Sequence, residues 1–156
     1  MTQDSEGFIP AKPTTSQRKK ARKLVLQALY QWQLSGASIA QVEAEFRTDN
    51  DFEKIDASYF NEVFRAIPKM TSELDSHFES FLDRPIVDVD PIEICLLRMG
   101  TYEMQHRVDI PYRVVVNEAV ELAKQFGGTD GHKYINSILD KVGLRLRAAE
   151  TRHKNA

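Results

Sequence analysis

Between Ala21 and Trp32 apolar side chains recur at Ala21, Leu24, Val25, Ala28, Leu29 and Trp32. These are positions i, i+3, i+4, i+7, i+8 and i+11, one stripe of an α-helix, so the segment packs one face on a core. Ser16 is placed to cap this helix and Gly36 to end it. Ser38 with Gln41 forms a capping box for a short second helix through Ile39, Val42 and Phe46. An acidic loop over residues 49–53 follows. Asp56 opens a third helix bearing Tyr59, Phe60, Val63, Phe64 and Ile67. Pro68 must kink or end it, because proline lacks the backbone donor and clashes one turn back. A fourth helical stretch carries Leu74, Phe78, Phe81 and Leu82, and residues 84–90 read as a loop.

Asp90-Pro91 is a strong helix start, an N-cap acid followed by proline at the first helical position. The helix it opens runs to about His106 and is apolar nearly all round, which predicts a place in the middle of a bundle. Pro111 opens the next helix, with Val115, Val116, Ala119, Val120, Leu122, Ala123 and Phe126, and Gly127-Gly128 as its stop. Thr129 or Asp130 caps the last, with Ile135, Ile138, Leu139, Val142 and Leu146 inward and Tyr134, Ser137, Lys141 and Arg145 in a second, polar stripe. No segment alternates with period two. The pattern predicts an all-α chain of about seven helices, and its length suits one domain or two small subdomains sharing a core. Residues 1–15, polar and holding Pro10 and Pro13, are expected to be a disordered tail. The helical domain is expected over 16–147, with a flexible basic tail over 148–156.

Charge changes this picture. The net charge of the 156-residue chain is only -2, yet the charge is segregated. Residues 1–42 carry six bases and two acids, residues 43–109 seven bases and sixteen acids, and residues 110–156 eight bases and five acids. If the two ends of the chain meet, they form one basic surface on an acidic body, able to meet an anionic ligand on one side and a basic partner on the other. Five bases crowd into Arg18, Lys19, Lys20, Arg22 and Lys23. Lys19, Lys23, Gln27 and Tyr30 follow one another along a helix face away from the apolar stripe. A positive helix end beside an aromatic suits a polyanion. The plainer reading is a solvated charge run that opposes the helix dipole.

Other chemistry is sparse. The single cysteine, Cys95, excludes an internal disulfide and a cysteine-built zinc site, and reads as a small buried hydrophobe. No apolar stretch approaches the ~20 residues of a membrane span, and the N-terminus lacks a signal-peptide core, so a cytoplasmic protein is expected. There is no Gly-rich phosphate loop and no serine elbow. Glu103 and His106 stand three apart, a spacing used in di-iron bundles, but such sites need a second pair and two further glutamates. The pair is therefore read as a solvated helix end. His77 and His132 have no partners at ligand spacing. No cofactor and no metal are expected.

Two blocks in the last third carry a resemblance. They are Asn117-Glu118-Ala119-Val120-Glu121-Leu122-Ala123-Lys124-Gln125-Phe126-Gly127 and His132-Lys133-Tyr134-Ile135-Asn136-Ser137-Ile138-Leu139-Asp140-Lys141. With Ile110-Pro111-Tyr112 and Ala28-Leu29-Tyr30-Gln31-Trp32, all in the expected order along residues 16–147, the chain resembles the NusB family of bacterial transcription antitermination factors. The resemblance implies an all-α protein of two packed helical subdomains that binds single-stranded boxA RNA of ribosomal RNA leaders together with NusE, which is also a small-subunit ribosomal protein. It implies membership of the elongating RNA polymerase antitermination complex, which reads through terminators. The RNA surface it implies comprises Arg18, Lys19, Lys20, Arg22, Lys23, Gln27, Tyr30, Phe126, Asp130, Lys133 and Tyr134. This chain has more lysine in the basic segment than the family pattern, and lysine gives charge without arginine's bidentate fork. Glu93, Tyr112 and Arg113 are the residues expected to face NusE.

Residue chemistry and resemblance agree on a mode of binding. Single-stranded RNA is held by phosphate contacts and by bases stacked on aromatics. Tyr30 and Tyr134 are the expected platforms and the basic residues the rail; otherwise both are half-buried helix tyrosines. A single surface requires the first and last helices to be neighbours, so that Lys23, Tyr30, Lys133 and Tyr134 share one face. Two other readings compete. Some RNA methyltransferases begin with a NusB-like domain, but no Rossmann-like region for a methyl donor is present, so an enzyme is not expected. A NusB-like accessory domain or a homodimeric helical scaffold that masks its own RNA surface would lack independent RNA function.

Overall fold

The computed structural model describes residues 11–155, with side chains described through Thr151. The N-terminal ten residues of the expected disordered tail lie outside the described residues. Eight α-helices are present among the described residues: α1 Thr15–Ser35, α2 Ile39–Asp49, α3 Ala57–Ala66, α4 Thr71–Phe78, α5 Pro91–His106, α6 Tyr112–Phe126, α7 Gly131–Leu146 and α8 Ala148–Asn155. Short 3₁₀ turns occupy Phe52–Lys54, Ile67–Lys69, Glu79–Phe81 and Ile86–Asp88. No strand occurs among the described residues, and no helix there is long and apolar enough to cross a membrane.

Most helix boundaries follow the local chemistry read from the sequence. Ser38 Oγ accepts from Gln41 N at 3.1 Å while Gln41 Oε1 accepts from Ser38 N at 3.0 Å, closing the capping box. Asp56 caps α3 through the amide of Tyr59, and Asp90 caps α5 through Ile92 N at 2.8 Å. Gly36 ends α1 at φ 73°, the left-handed region that a Cβ disfavours. Pro68 ends α3 as expected, with the chain tightening into the 3₁₀ turn after Ala66.

Three boundaries differ. Thr14, not Ser16, caps α1, in a reciprocal pair with Gln17 at 3.0 and 2.8 Å. A capping box satisfies two amides where a lone serine would satisfy one. At the start of α7 neither Thr129 nor Asp130 caps through its side chain. Asp130 takes φ 63°, and its carboxylate meets Lys133 Nζ at 3.3 Å instead. The third difference is at the C-terminus, where residues expected to be a flexible tail form α8, with Thr151 buried. Arg147 anchors it, donating from Nε to Met104 O at 2.8 Å and from Nη2 to Glu103 O and Arg107 O, so its guanidinium caps the last turn of α5. Glu150 Oε2 accepts from Tyr112 N at 2.9 Å at the first turn of α6. That amide, with Arg147 adding to it against the opposing effect of burial, moves the Glu150 pKa below its usual value.

Helices α1, α2 and α3 pack together, and α4, α6 and α7 gather around α5, which also receives α1. The nearly all-apolar α5 is thus central, buried at Glu93 to Leu97 and again from Met99 to Met104. Two glycines permit close approach between helices. A Cβ on Gly100 would stand 2.8 Å from Leu139, and one on Gly143 would strike the Tyr112 ring.

Candidate nucleic-acid interface

Five cations leave the first turns of α1, and the fold sorts them. Ala21 and Val25 face the core, which carries the flanking Arg22 inward with them. The Arg22 side chain is 6 % exposed and its Nε lies 2.9 Å from Glu103 Oε2, whose own side chain is 3 % exposed. Nη2 reaches Glu103 Oε1 at 3.3 Å, and Nη1 reaches Glu118 Oε1 on α6 at 3.4 Å. Tyr59 of α3 donates its hydroxyl to Glu103 and lies under the guanidinium. Burial opposes the charge on Arg22, but the Glu103 carboxylate outweighs it and the pKa is raised; burial beside Glu103 likewise raises Tyr59. Arg18, one turn earlier, binds Asp56 Oδ2 at 2.6 Å. Arg22, expected on the phosphate rail, is therefore withdrawn into the interior. The reason is its position beside the apolar stripe with three helices supplying partners.

Glu103 is a correction as well. Expected at a solvated helix end, it is instead the buried acceptor of this network. His106 does stand at an exposed end, 3.7 Å from Glu73. Among the described residues no group of three metal-ligating side chains is assembled.

The lysines point the other way. Lys19 is half-exposed and pairs with Glu118 Oε2 at 2.6 Å. Lys20 is exposed, and among the described residues neither Lys20 nor Lys23 has a carboxylate within ion-pair distance. Lys23 Nζ sits 5.6 Å from the ring centre of Phe126, at the end of α6. Further along α1, Tyr30 is 36 % exposed and shares a shallow apolar groove with Gln27, Leu34 and Phe46.

Helix α7 places its residues less simply. Lys133 is exposed beside Asp130. Tyr134 is half-buried, and its hydroxyl donates to Asp83 Oδ1 at 2.8 Å. The Arg84 guanidinium lies 5.3 Å from the Tyr134 ring centre and binds Asp83 at 2.7 Å. Arg84, and then Tyr134, hold the Asp83 pKa down to about 2. Sequence pattern alone does not single out Asp83 and Arg84; their adjacency as an acid–base pair before Pro85 is the only local signal. Lys141 and Arg145 of the polar stripe lie over Phe81 from the same segment. Helix α1 packs chiefly on α2, α3 and α5, and α7 on α4, α5, α6 and α8. The expected direct pairing of first and last basic helices is replaced by an indirect one: Lys23 meets Phe126, and the short turn after Phe126 leads into Asp130 and Lys133.

The residues expected to face a protein partner divide. Arg113 is exposed. Tyr112 is 5 % exposed, with its ring against Gly143, its hydroxyl donating to Asp140 and its amide on Glu150, so it belongs to the packing of α6, α7 and α8. Glu93, at the start of α5, is 9 % exposed, and its Oε2 would stand 2.7 Å from a Cβ on Gly131. Burial, then the neighbouring Asp90, raises its pKa. Among the described residues it has no cation within ion-pair distance.

With this geometry in place, comparison with known proteins is specific. The family model described as NusB family matches residues 19–143. The transcription antitermination protein NusB of Hahella chejuensis is 58 % identical over 133 residues, covering 85 % of this chain and 89 % of that protein. That of Marinobacter nauticus is 51 % identical over 140 residues, covering 90 % and 89 %. Among solved structures, T. maritima NusB superposes with a TM-score of 0.71 at 27 % identity, over 80 % of this chain and 89 % of that one.

Proposed function

The chain belongs to the NusB family, and from that membership we propose that it binds single-stranded boxA RNA together with NusE within the elongating polymerase complex of the cytoplasm. The observation that carries the RNA reading is the outer edge of α1, where Lys20 and Lys23 stand without carboxylate partners among the described residues and Tyr30 lies exposed along the same helix. Lysines neutralise phosphates, and Tyr30 with its apolar groove offers a base a stacking surface. Lys133 and Phe126 extend the edge toward α7. Tyr134, half-buried and flanked by Asp83 and Arg84, would serve as a second platform through the part of its ring that stays exposed.

The acidic body fits a basic protein. Glu93 is the sharpest feature of it, a nearly buried carboxylate with no ion-pair partner among the described residues and only Arg84 acting on it from a distance. A lysine or arginine from NusE would neutralise it and recover the cost of burial. The test is a fluorescence anisotropy titration of a boxA RNA oligonucleotide with this protein, alone and with NusE. The expected result is salt-dependent binding alone and tighter binding with NusE, RNA raising NusE affinity by the same factor. Absence of RNA binding in both arms would overturn the reading.

A further inference from the structure

Across the groove from the lysines of α1 stands an acidic wall. Lys19, Lys20 and Lys23 line one side; Glu118, Glu121 and Gln125 of α6 line the other. Glu118 divides its carboxylate between two cations of unlike setting. Oε1 faces the buried Arg22 at 3.4 Å, and Oε2 faces the half-exposed Lys19 at 2.6 Å. The Arg22 guanidinium already has Glu103 on two of its nitrogens, so it does not depend on Glu118 for neutrality. Lys19, by contrast, has Glu118 as its one ion-pair partner among the described residues.

We infer that Glu118 acts as an intramolecular phosphate surrogate: it occupies the Lys19 ammonium in the free protein and lowers the affinity of the lysine edge for any RNA backbone. The inference rests on the RNA reading given above. A phosphate reaching Lys19 must displace a carboxylate held from behind by Arg22. Glu118 cannot follow Lys19 outward, because its side chain is only 16 % exposed and its second oxygen faces the interior. The freed carboxylate then takes up a counterion, which offsets part of the release from the RNA. Backbone contacts alone thus hold RNA weakly, and base stacking and a protein partner must supply the rest.

The test compares the intact chain with Glu118→Gln by anisotropy, using boxA RNA and an oligo(U) of equal length over a salt series. Glu118→Gln is expected to bind both RNAs about two- to fivefold more tightly, the span of one half-exposed ion pair. The log–log salt slope should steepen by as much as about 0.7, one additional phosphate. In a Lys19→Ala background the gain should vanish, which a double-mutant cycle reads directly. If Glu118→Gln does not fold, Glu118→Asp, which keeps a charge near Arg22 and withdraws it from Lys19, must shift binding in the same direction. Wild-type RNA binding with no gain in either folded variant, or a gain that persists without Lys19, would overturn the inference alone. Absence of RNA binding by wild type and variants at the lowest salt would overturn the proposed function, and the inference with it.

Discussion

The arginines and the lysines of the α1 basic run occupy two regions of the molecule with opposite surroundings. Arg18 and Arg22 lie against Asp56, Glu103, Glu118 and the Tyr59 ring, under cover of α3, α5 and α6. Lys20 and Lys23, one or two positions away, lie outside that network, Lys20 exposed and Lys23 half-exposed beside Phe126. A guanidinium presents a planar fork that matches a carboxylate and tolerates burial, whereas an ammonium is a strongly hydrated point charge. One stretch of positive charge is thus split between two environments. Its arginines tie helices together, while Lys20 and Lys23 stand without carboxylate partners among the described residues. Carboxylates show the same contrast on a smaller scale: Glu103 is matched by Arg22 and Tyr59, and Glu93 is buried with no ion-pair partner among the described residues.

Removing the acceptor at the centre of the arginine region gives the largest effect. Glu103→Gln leaves Arg22 buried beside a neutral amide, and a broken buried pair costs about 3–5 kcal/mol. Urea unfolding reads this directly, and a change within experimental error would mean the network is not needed. Arg22→Lys keeps the charge but loses the fork, at about 1.5–3 kcal/mol of unfolding free energy for the missing charge-assisted bonds. Its RNA salt slope should match wild type, since this cation does not reach the ligand. On the lysine side, Tyr30→Ala should weaken RNA binding by about 1–3 kcal/mol per stacked base with the thermal midpoint nearly unchanged. Unfolding of the variant with normal RNA affinity when folded would place Tyr30 in the core.

The smallest effect is a pH dependence at Glu93. Its folded-state pKa is raised by burial and Asp90, so ionisation costs stability as pH climbs from the ordinary glutamate range through the folded-state value. Glu93→Gln should therefore flatten that decline, leaving stability below the ordinary range unchanged. A decline equal to wild type would show that Glu93 is not the titrating group.

The fold is legible in the sequence wherever a local rule acts alone. The capping box at Ser38, the start at Asp90-Pro91, the stop at Pro68 and the central position of α5 each depend on residues near one another along the chain. What the sequence hides involves partners distant along the chain. Nothing near Arg22 announces Glu103, 81 residues on, and nothing near Glu103 distinguishes a buried acceptor from a solvated helix end. Helix α8 is unreadable because it has no apolar stripe and is held by Arg147 and Glu150, whose partners on α5 and α6 lie far along the chain. Tyr134 lies on the polar stripe that the spacing predicts, yet its companions Asp83 and Arg84 come from a segment without periodicity.

The division of α1 is tested most directly by the salt dependence of RNA binding for Lys20→Ala/Lys23→Ala. With two fewer ammonium groups to neutralise phosphates of a single strand, the magnitude of the log–log slope should fall by about 1.4, with unfolding free energy as in wild type. An unchanged slope, or a slope that falls only together with stability, would contradict the account.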